Sequence, residues 1–336
     1  MMLGIMMEAK KDLEMIAFGP LPSRRLGQSI GINNIPPKIC TYSCIYCQLG
    51  RTHTLQSTRQ PFYAPQKIVA DVKQKIEGAK GKKEAIDYLT FVADGEPTLD
   101  SNLGAEIELL KTTGIKIAVI TNTSLIWKKD VRDDLGKADW VSLKIDTVDQ
   151  EIWHRINRPY GSLQMRDILD GISEFSYSFS GDLVTETMII QDVNDETEGL
   201  EKVAEFIAGL SPKKSYISIP IRPPAEKWVK AAGENEVNRT FQIFKEQGIE
   251  AECLIGYEGN AFAFTGNIEE DLLGIMFVHP IREDGVRELL SKANANWSII
   301  EKLLVQKKVI QTEYNGKKFY MRKLPGKTRD ATEGGI

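Results

Sequence analysis

The chain has 336 residues, 42% of them hydrophobic and 27% charged, with a formal net charge of −4. That balance suits a globular protein with one large domain and a small second one, and it excludes a strongly basic, polyanion-coating protein. Four cysteines in this length exclude a disulfide scaffold, and no apolar run is long enough to span a membrane, so the cytoplasm is the expected compartment.

Residues 1–17 read as an N-terminal extension: the start is apolar but short, and Glu8-Ala9-Lys10-Lys11-Asp12 follows where a signal peptide would continue. The pattern then predicts a strand at 29–32, a helix at 66–77 behind Pro65, a strand at 88–92, and a helix at 103–112 stopped by Gly114. Next come a strand at 116–120, a helix at 130–136, a strand at 140–145, and helices at 150–156 and 166–175. A strand at 183–190, a helix at 197–210, a strand at 215–221, a helix at 236–247 and a shorter strand at 250–254 complete the series. Several of these strands are almost wholly apolar, as parallel strands covered on both faces are. Such alternation implies an α/β fold with a parallel sheet, either doubly wound or a partial barrel.

After Gly266 the texture changes. Short helices are predicted at 271–278, 283–292 and 298–306, then two strands, 309–314 and 317–322, around the hairpin pair Asn315-Gly316. Three helices and a hairpin are a winged-helix arrangement, so the expected division is a main domain over 18–265, a winged-helix-like domain over 268–325 and a flexible tail over 326–336.

Chemistry concentrates at Cys40, Cys44 and Cys47, spaced C-x3-C-x2-C. Three thiolates on one loop can ligate three irons of a cubane cluster and leave the fourth open to a ligand. A structural zinc site is the alternative, with His53 the nearby fourth ligand. Downstream, Asp94-Gly95-Glu96-Pro97 follows a predicted strand; Gly95 permits close backbone approach and Glu96 offers a carboxylate to a cationic amine, although the tetrapeptide alone is also an ordinary turn. Asn122 ends the next strand, and Ser142, Lys144 and Asp146 alternate in the one after; each could equally be a solvated strand end or a cap.

The C-x3-C-x-aromatic-C pattern, with Tyr46 as the aromatic, resembles the signature of the radical S-adenosylmethionine superfamily. The resemblance implies a partial (β/α)6 TIM-type barrel, a [4Fe–4S] cluster on Cys40, Cys44 and Cys47, and S-adenosylmethionine on the open iron with Tyr46 near its adenine. Asp94-Gly95-Glu96 is similar to the family's Gly-Gly-Glu motif, with Asp94 in place of the first glycine, which implies that Gly95 and Glu96 hold the methionine amine. By the same resemblance Asn122, Ser142 and Lys144 are cofactor-binding, the last two toward ribose and methionine carboxylate.

Segments 18–27, 48–52 and 222–226 resemble the wyosine-base-synthase-like group, whose members carry a C-terminal winged-helix domain. No cysteine precedes Cys40, so the second cluster of the archaeal wyosine synthases, and their reaction, are not implied. The implied activity is reductive cleavage of S-adenosylmethionine to a 5′-deoxyadenosyl radical that takes hydrogen from an unidentified substrate, with electrons from a flavodoxin- or ferredoxin-type donor. That substrate is either tRNA or another macromolecule (RNA or protein) or a small metabolite covered by the winged helix. The competing reading is a redox-responsive Fe–S regulator that binds nucleic acid through the winged helix. Arg24, Arg25, Lys38, Arg51 and Arg59 either line an anionic channel, neutralise the cluster and the cofactor carboxylate, or are simply solvated. His53, His154 and His279 read as packing or surface residues and Cys253 as an inert buried thiol.

Overall fold

The computed structural model describes residues 16–82, 84–254, 264, 266–278 and 280–323. Residues 1–15 of the expected extension, His279 and the expected tail lie outside them.

The chain begins with an antiparallel pair, β1 (Ala17–Ser23) and β2 (Gly27–Ile32). A long loop follows, carrying the short parallel pair β3 (Ile39–Cys40) and β4 (Thr54–Leu55). Strand–helix alternation then runs through α1 (Pro65–Gly81), β5 (Tyr88–Phe91), α2 (Leu103–Lys111), β6 (Lys116–Thr121), α3 (Lys129–Leu135) and β7 (Trp140–Lys144). It continues through α4 (Gln150–Asn157), α5 (Met165–Ser178), β8 (Asp182–Met188), α6 (Thr197–Leu210), β9 (Lys214–Ser218), α7 (Glu234–Glu246) and β10 (Ala251–Leu254). These strands form one eight-stranded sheet, ordered β1-β2-β5-β6-β7-β8-β9-β10 and parallel from β2 onward. β10 does not pair with β1, so the barrel is open.

The sheet thus has seven parallel strands, the six main ones and the shorter one expected at 250–254, which forms a four-residue ladder with β9. β1 was not expected: its two prolines, Pro20 and Pro22, argue against a strand interior, but at a sheet edge the missing N–H costs nothing.

Strand alternation separates two layers. Ile117, Val119, Val141 and Leu143 are fully buried against the helices, each such side chain contributing ~1.5–3 kcal/mol. The opposite face, with Ala118, Trp140, Val184, Tyr216 and Leu254, packs with Leu26 inside the barrel. Farther along that inner face toward the carboxyl ends, the apolar side chains give way to Lys144, Glu186 and Ser218.

The C-terminal unit runs α8 (Ile268–Val278), β11 (Ile281–Arg282), α9 (Glu283–Lys292), α10 (Ser298–Val305), β12 (Val309–Tyr314) and β13 (Lys317–Arg322). Its antiparallel sheet has the order β11-β13-β12; β11, only two residues long, left no periodic signal in the sequence. Leu272, Ile275, Leu289, Ile300 and Leu303 form its core together with Phe18 and Leu21 of β1. β1 therefore joins the two units: it pairs with the barrel through its backbone and packs on the C-terminal unit through its side chains.

Candidate functional site

The cysteine loop is held from three directions. On the β5 side, Lys38 N–H donates to the Asp94 carbonyl (2.8 Å) and Glu96 N–H to the Ile39 carbonyl (3.3 Å). Gly95 is required there, since a Cβ would stand 1.8 Å from the Ile39 carbonyl oxygen. At the end of α4, carbonyls of the last turn, which lack helical partners, accept the loop's amides: Ser43 N–H to Asn157 (2.9 Å) and Ile45 N–H to Ile156 (2.9 Å). On the third side, Glu226 N–H donates to the Ile45 carbonyl (3.0 Å), bringing the 219–226 segment over the loop.

So held, Cys40, Cys44 and Cys47 line one cavity of about 330 Å³ at the carboxyl ends of the strands. Burial, then the neighbouring thiols, push Cys40 well up and Cys44 up to about 12; Cys47 is also raised by burial, against the opposing charge of Lys38. Bound iron would oppose this rise, because a coordinated thiol is deprotonated. No three or more His, Cys, Asp or Glu side chains among the described residues close on a single metal ion. Three thiols spread around a cavity suit a cluster, whose corners are separate irons. His53, the fourth ligand that zinc would need, is exposed and does not line the cavity.

Each sulfur has a polar neighbour. Asn122 Nδ2 lies 3.5 Å from Cys40 Sγ and Asn157 Nδ2 3.5 Å from Cys44 Sγ. Lys38 is the foremost positive charge acting on Cys47. Asn157 also donates to Asp146 Oδ2 (3.1 Å), which accepts the Tyr46 hydroxyl (2.5 Å), while Asp146 Oδ1 takes the Met188 amide (3.0 Å). Asp146 thereby fixes Tyr46 at the cavity wall.

Of the residues singled out in the sequence, Tyr46, Gly95, Asn122 and Lys144 line the cavity with the cysteines. Lys144 Nζ sits 5.1 Å from the Tyr46 ring centroid and 2.8 Å from Glu186 Oε1. Burial alone would lower the Lys144 pKa, but Glu186 and Asp146 outweigh it and hold the ammonium. Two residues fall elsewhere. Ser142 is buried on the inner face without lining the cavity. Glu96 is fully buried and turned away: Oε1 accepts Thr98 N–H (3.0 Å), Thr98 Oγ1 (2.6 Å) and Thr121 Oγ1 (2.6 Å), and Oε2 accepts Asn122 N–H (2.7 Å).

Besides Glu186, the carboxyl group that lines the cavity is Asp94, 2% exposed, whose Oδ2 has no hydrogen-bond partner. Its significance was hidden in the sequence because it stands where the motif has a glycine. The basic residues divide. Arg24, Arg25 and Lys38 line the cavity, Arg25 paired to Glu186. Arg51 and Arg158 share Glu226 on the outer side of the loop. Arg59 is buried between Asp130 and Asp134, a brace between loop and α3. His154 is exposed against Trp153, and Cys253 packs in the helix-covered layer while Leu254 faces the cavity. The C-terminal hairpin reaches the rim: Tyr314 Oη donates to the carbonyl of Pro220, a cavity-lining residue (3.0 Å).

The family model of the radical SAM superfamily matches residues 34–207. A UPF0026 protein of Methanocaldococcus jannaschii is 49% identical over 94% of this chain and 98% of its own length. A UPF0026 protein of Synechocystis is 34% identical over 65% of this chain and 80% of its own length. Among solved structures, a radical SAM methyltransferase from Sphaerobacter thermophilus aligns with a TM-score of 0.51 over 68% of this chain and 66% of its own, at 15% identity, a likeness of fold.

Proposed function

The chain belongs to the radical SAM superfamily, within it to the UPF0026 proteins, and on that premise we propose that it cleaves S-adenosylmethionine reductively and draws hydrogen from a macromolecular substrate, RNA before protein. A [4Fe–4S] cluster and S-adenosylmethionine are its cofactors. When bound, they supply one-electron cleavage to methionine and a 5′-deoxyadenosyl radical.

Cys40, Cys44 and Cys47 hold the cluster and leave one iron to S-adenosylmethionine. The Asp94 carboxylate and the Gly95 backbone receive the methionine ammonium, and Lys144 its carboxylate. Tyr46, anchored by Asp146, flanks the adenine, and Asn122 orients Cys40. Ser142 shapes the floor under Lys144, and Glu96 acts as a positioning residue. The C-terminal unit is winged-helix-like, and its hairpin, with exposed Lys317, Lys318 and Lys323 beside the rim, steers a phosphate backbone toward the cavity. A flavodoxin- or ferredoxin-type donor in the cytoplasm supplies the electron.

The observation that carries this reading is the shared cavity: three thiols and the buried Asp94 carboxyl, whose Oδ2 has no hydrogen-bond partner, face one space. Anaerobic reconstitution with iron and sulfide, followed by dithionite and S-adenosylmethionine, is expected to yield 5′-deoxyadenosine. No yield above a Cys44→Ala control would sink the enzymatic reading and leave the regulator. Comparing modified nucleosides from cells with and without the gene then tests RNA as the substrate.

A further inference from the structure

Lys38 is an unusual place for a lysine. Its backbone is left-handed (φ 66°), a conformation disfavoured for residues with a Cβ. It is fixed there by three backbone hydrogen bonds, one from its own N–H to the Asp94 carbonyl (2.8 Å) and two into its carbonyl from His53 and Thr54 (both 3.0 Å). The residue is 6% exposed, and Nζ has no hydrogen-bond partner. The ammonium reaches the far side of the cysteine loop: a Cβ built on Gly50 would stand 3.4 Å from Nζ, and Gly50 N–H donates to the Cys47 carbonyl (3.0 Å). Cys40 and Cys44 each have a neutral amide donor, and Lys38 lines the same cavity as Cys47, with Nζ beside the Gly50 turn that closes on Cys47. Asp94, the opposing charge, lines the same cavity without a hydrogen bond to Lys38 Nζ.

We infer that Lys38 sets the reduction potential of the cluster: its buried ammonium, lining the cavity of the three cysteines, favours the reduced state, and Asp94 opposes it. The inference rests on the cluster reading above. Reduction adds one electron to a centre already made negative by three thiolates. A buried cation interacts more strongly with that extra charge than a solvated one does, so it raises the potential. Such an effect gives a role to a lysine in a buried, conformationally disfavoured position whose Nζ has no hydrogen-bond partner.

The test is an EPR-monitored redox titration of the reconstituted full-length protein without S-adenosylmethionine, with iron content measured in parallel. Lys38→Met, nearly isosteric and with the same backbone constraint, is expected to shift the midpoint to more negative potential. Lys38→Arg is expected to stay near wild type, and Asp94→Asn to move the opposite way, to more positive potential. An unmoved midpoint in Lys38→Met with a full cluster overturns the inference. So does loss of the cluster in Lys38→Met that Lys38→Arg fails to recover. A wild-type chain that binds no four-iron cluster sinks the reading of the site itself, and this inference with it.

Discussion

Glu96 Oε2 accepts the backbone amide of Asn122 at 2.7 Å, and Asn122 in turn carries its side-chain nitrogen to 3.5 Å from Cys40 Sγ. The motif carboxylate therefore reaches the cysteine loop through the end of β6. Burial pushes the Glu96 pKa up, and the donors from Thr121, Thr98 and Asn122 oppose that rise. Glu96→Gln sets an amide N–H₂ against donors that need an acceptor. The expected loss is about 1–3 kcal/mol of folding stability, the penalty for unsatisfied buried polar groups, with lower iron content after reconstitution. A variant of full stability and full iron, impaired only in S-adenosylmethionine binding, would return Glu96 to the direct role read from the motif.

Gly95→Ala tests the contact between the β5 loop and the cysteine loop. The added methyl would stand 1.8 Å from the Ile39 carbonyl oxygen, which is backbone and cannot swing aside. The two loops must separate, displacing Cys40 next to Ile39. Iron bound per chain is expected to fall sharply while far-UV circular dichroism stays close to wild type, because the barrel layers lie outside the contact. Normal iron loading would show that the loops tolerate separation.

Two buried glutamates give stability opposite dependences on pH. At Glu186, burial alone would raise the pKa, but Lys144 and Arg25 outweigh it and hold the carboxyl well below the usual range. Its contribution is present above the ordinary carboxylate range and is lost as pH falls. At Glu106, burial and then the neighbouring Asp100 carboxyl push the pKa well up. Its contribution is complete below the ordinary carboxylate range and is lost as pH rises through the raised value. Urea midpoints between about pH 2 and 9 separate them, the acid limb reporting Glu186 and the alkaline limb Glu106. Glu106→Gln is expected to flatten the alkaline decline, whereas Glu186→Gln, which strands Lys144 and Arg25, costs about 3–5 kcal/mol at neutral pH. An unchanged alkaline slope in Glu106→Gln would mean that this carboxyl ionises normally.

What the sequence disclosed follows the range of each interaction. The helix at 197–210 was legible to the residue, because its apolar spacing is local and α6 buries Leu200, Val203, Ala204 and Ile207 on one face. The parallel strands were legible from their apolar runs. β1 was not, since its prolines report only on hydrogen bonding and its edge position is a tertiary fact. The three cysteines announced themselves by spacing. Asn157 could not, because it meets Cys44 across 113 positions and looks like an ordinary helix end. Glu96 shows the converse: a motif residue whose side chain turns inward because Thr98, Thr121 and Asn122 converge on it.

Lys38 provides a last contrast between the cluster-free and loaded chains. Without the cluster, its Nζ is buried with no hydrogen-bond partner, and burial lowers its pKa against the opposing influence of Cys47, Asp94 and Cys40. Charged, the ammonium is poorly solvated; neutral, it has lost its proton at a cost. Either way it destabilises the empty chain, and Lys38→Met removes that burden while keeping side-chain length and the left-handed backbone. The cluster-free variant is expected to unfold at higher urea than cluster-free wild type, by about 1–3 kcal/mol. With the cluster in place the advantage should shrink, because the thiolates then stabilise the ammonium. The same gain in both forms would mean that Lys38 is an ordinary buried polar group with no relation to the cluster; a gain confined to the empty chain is the expected result.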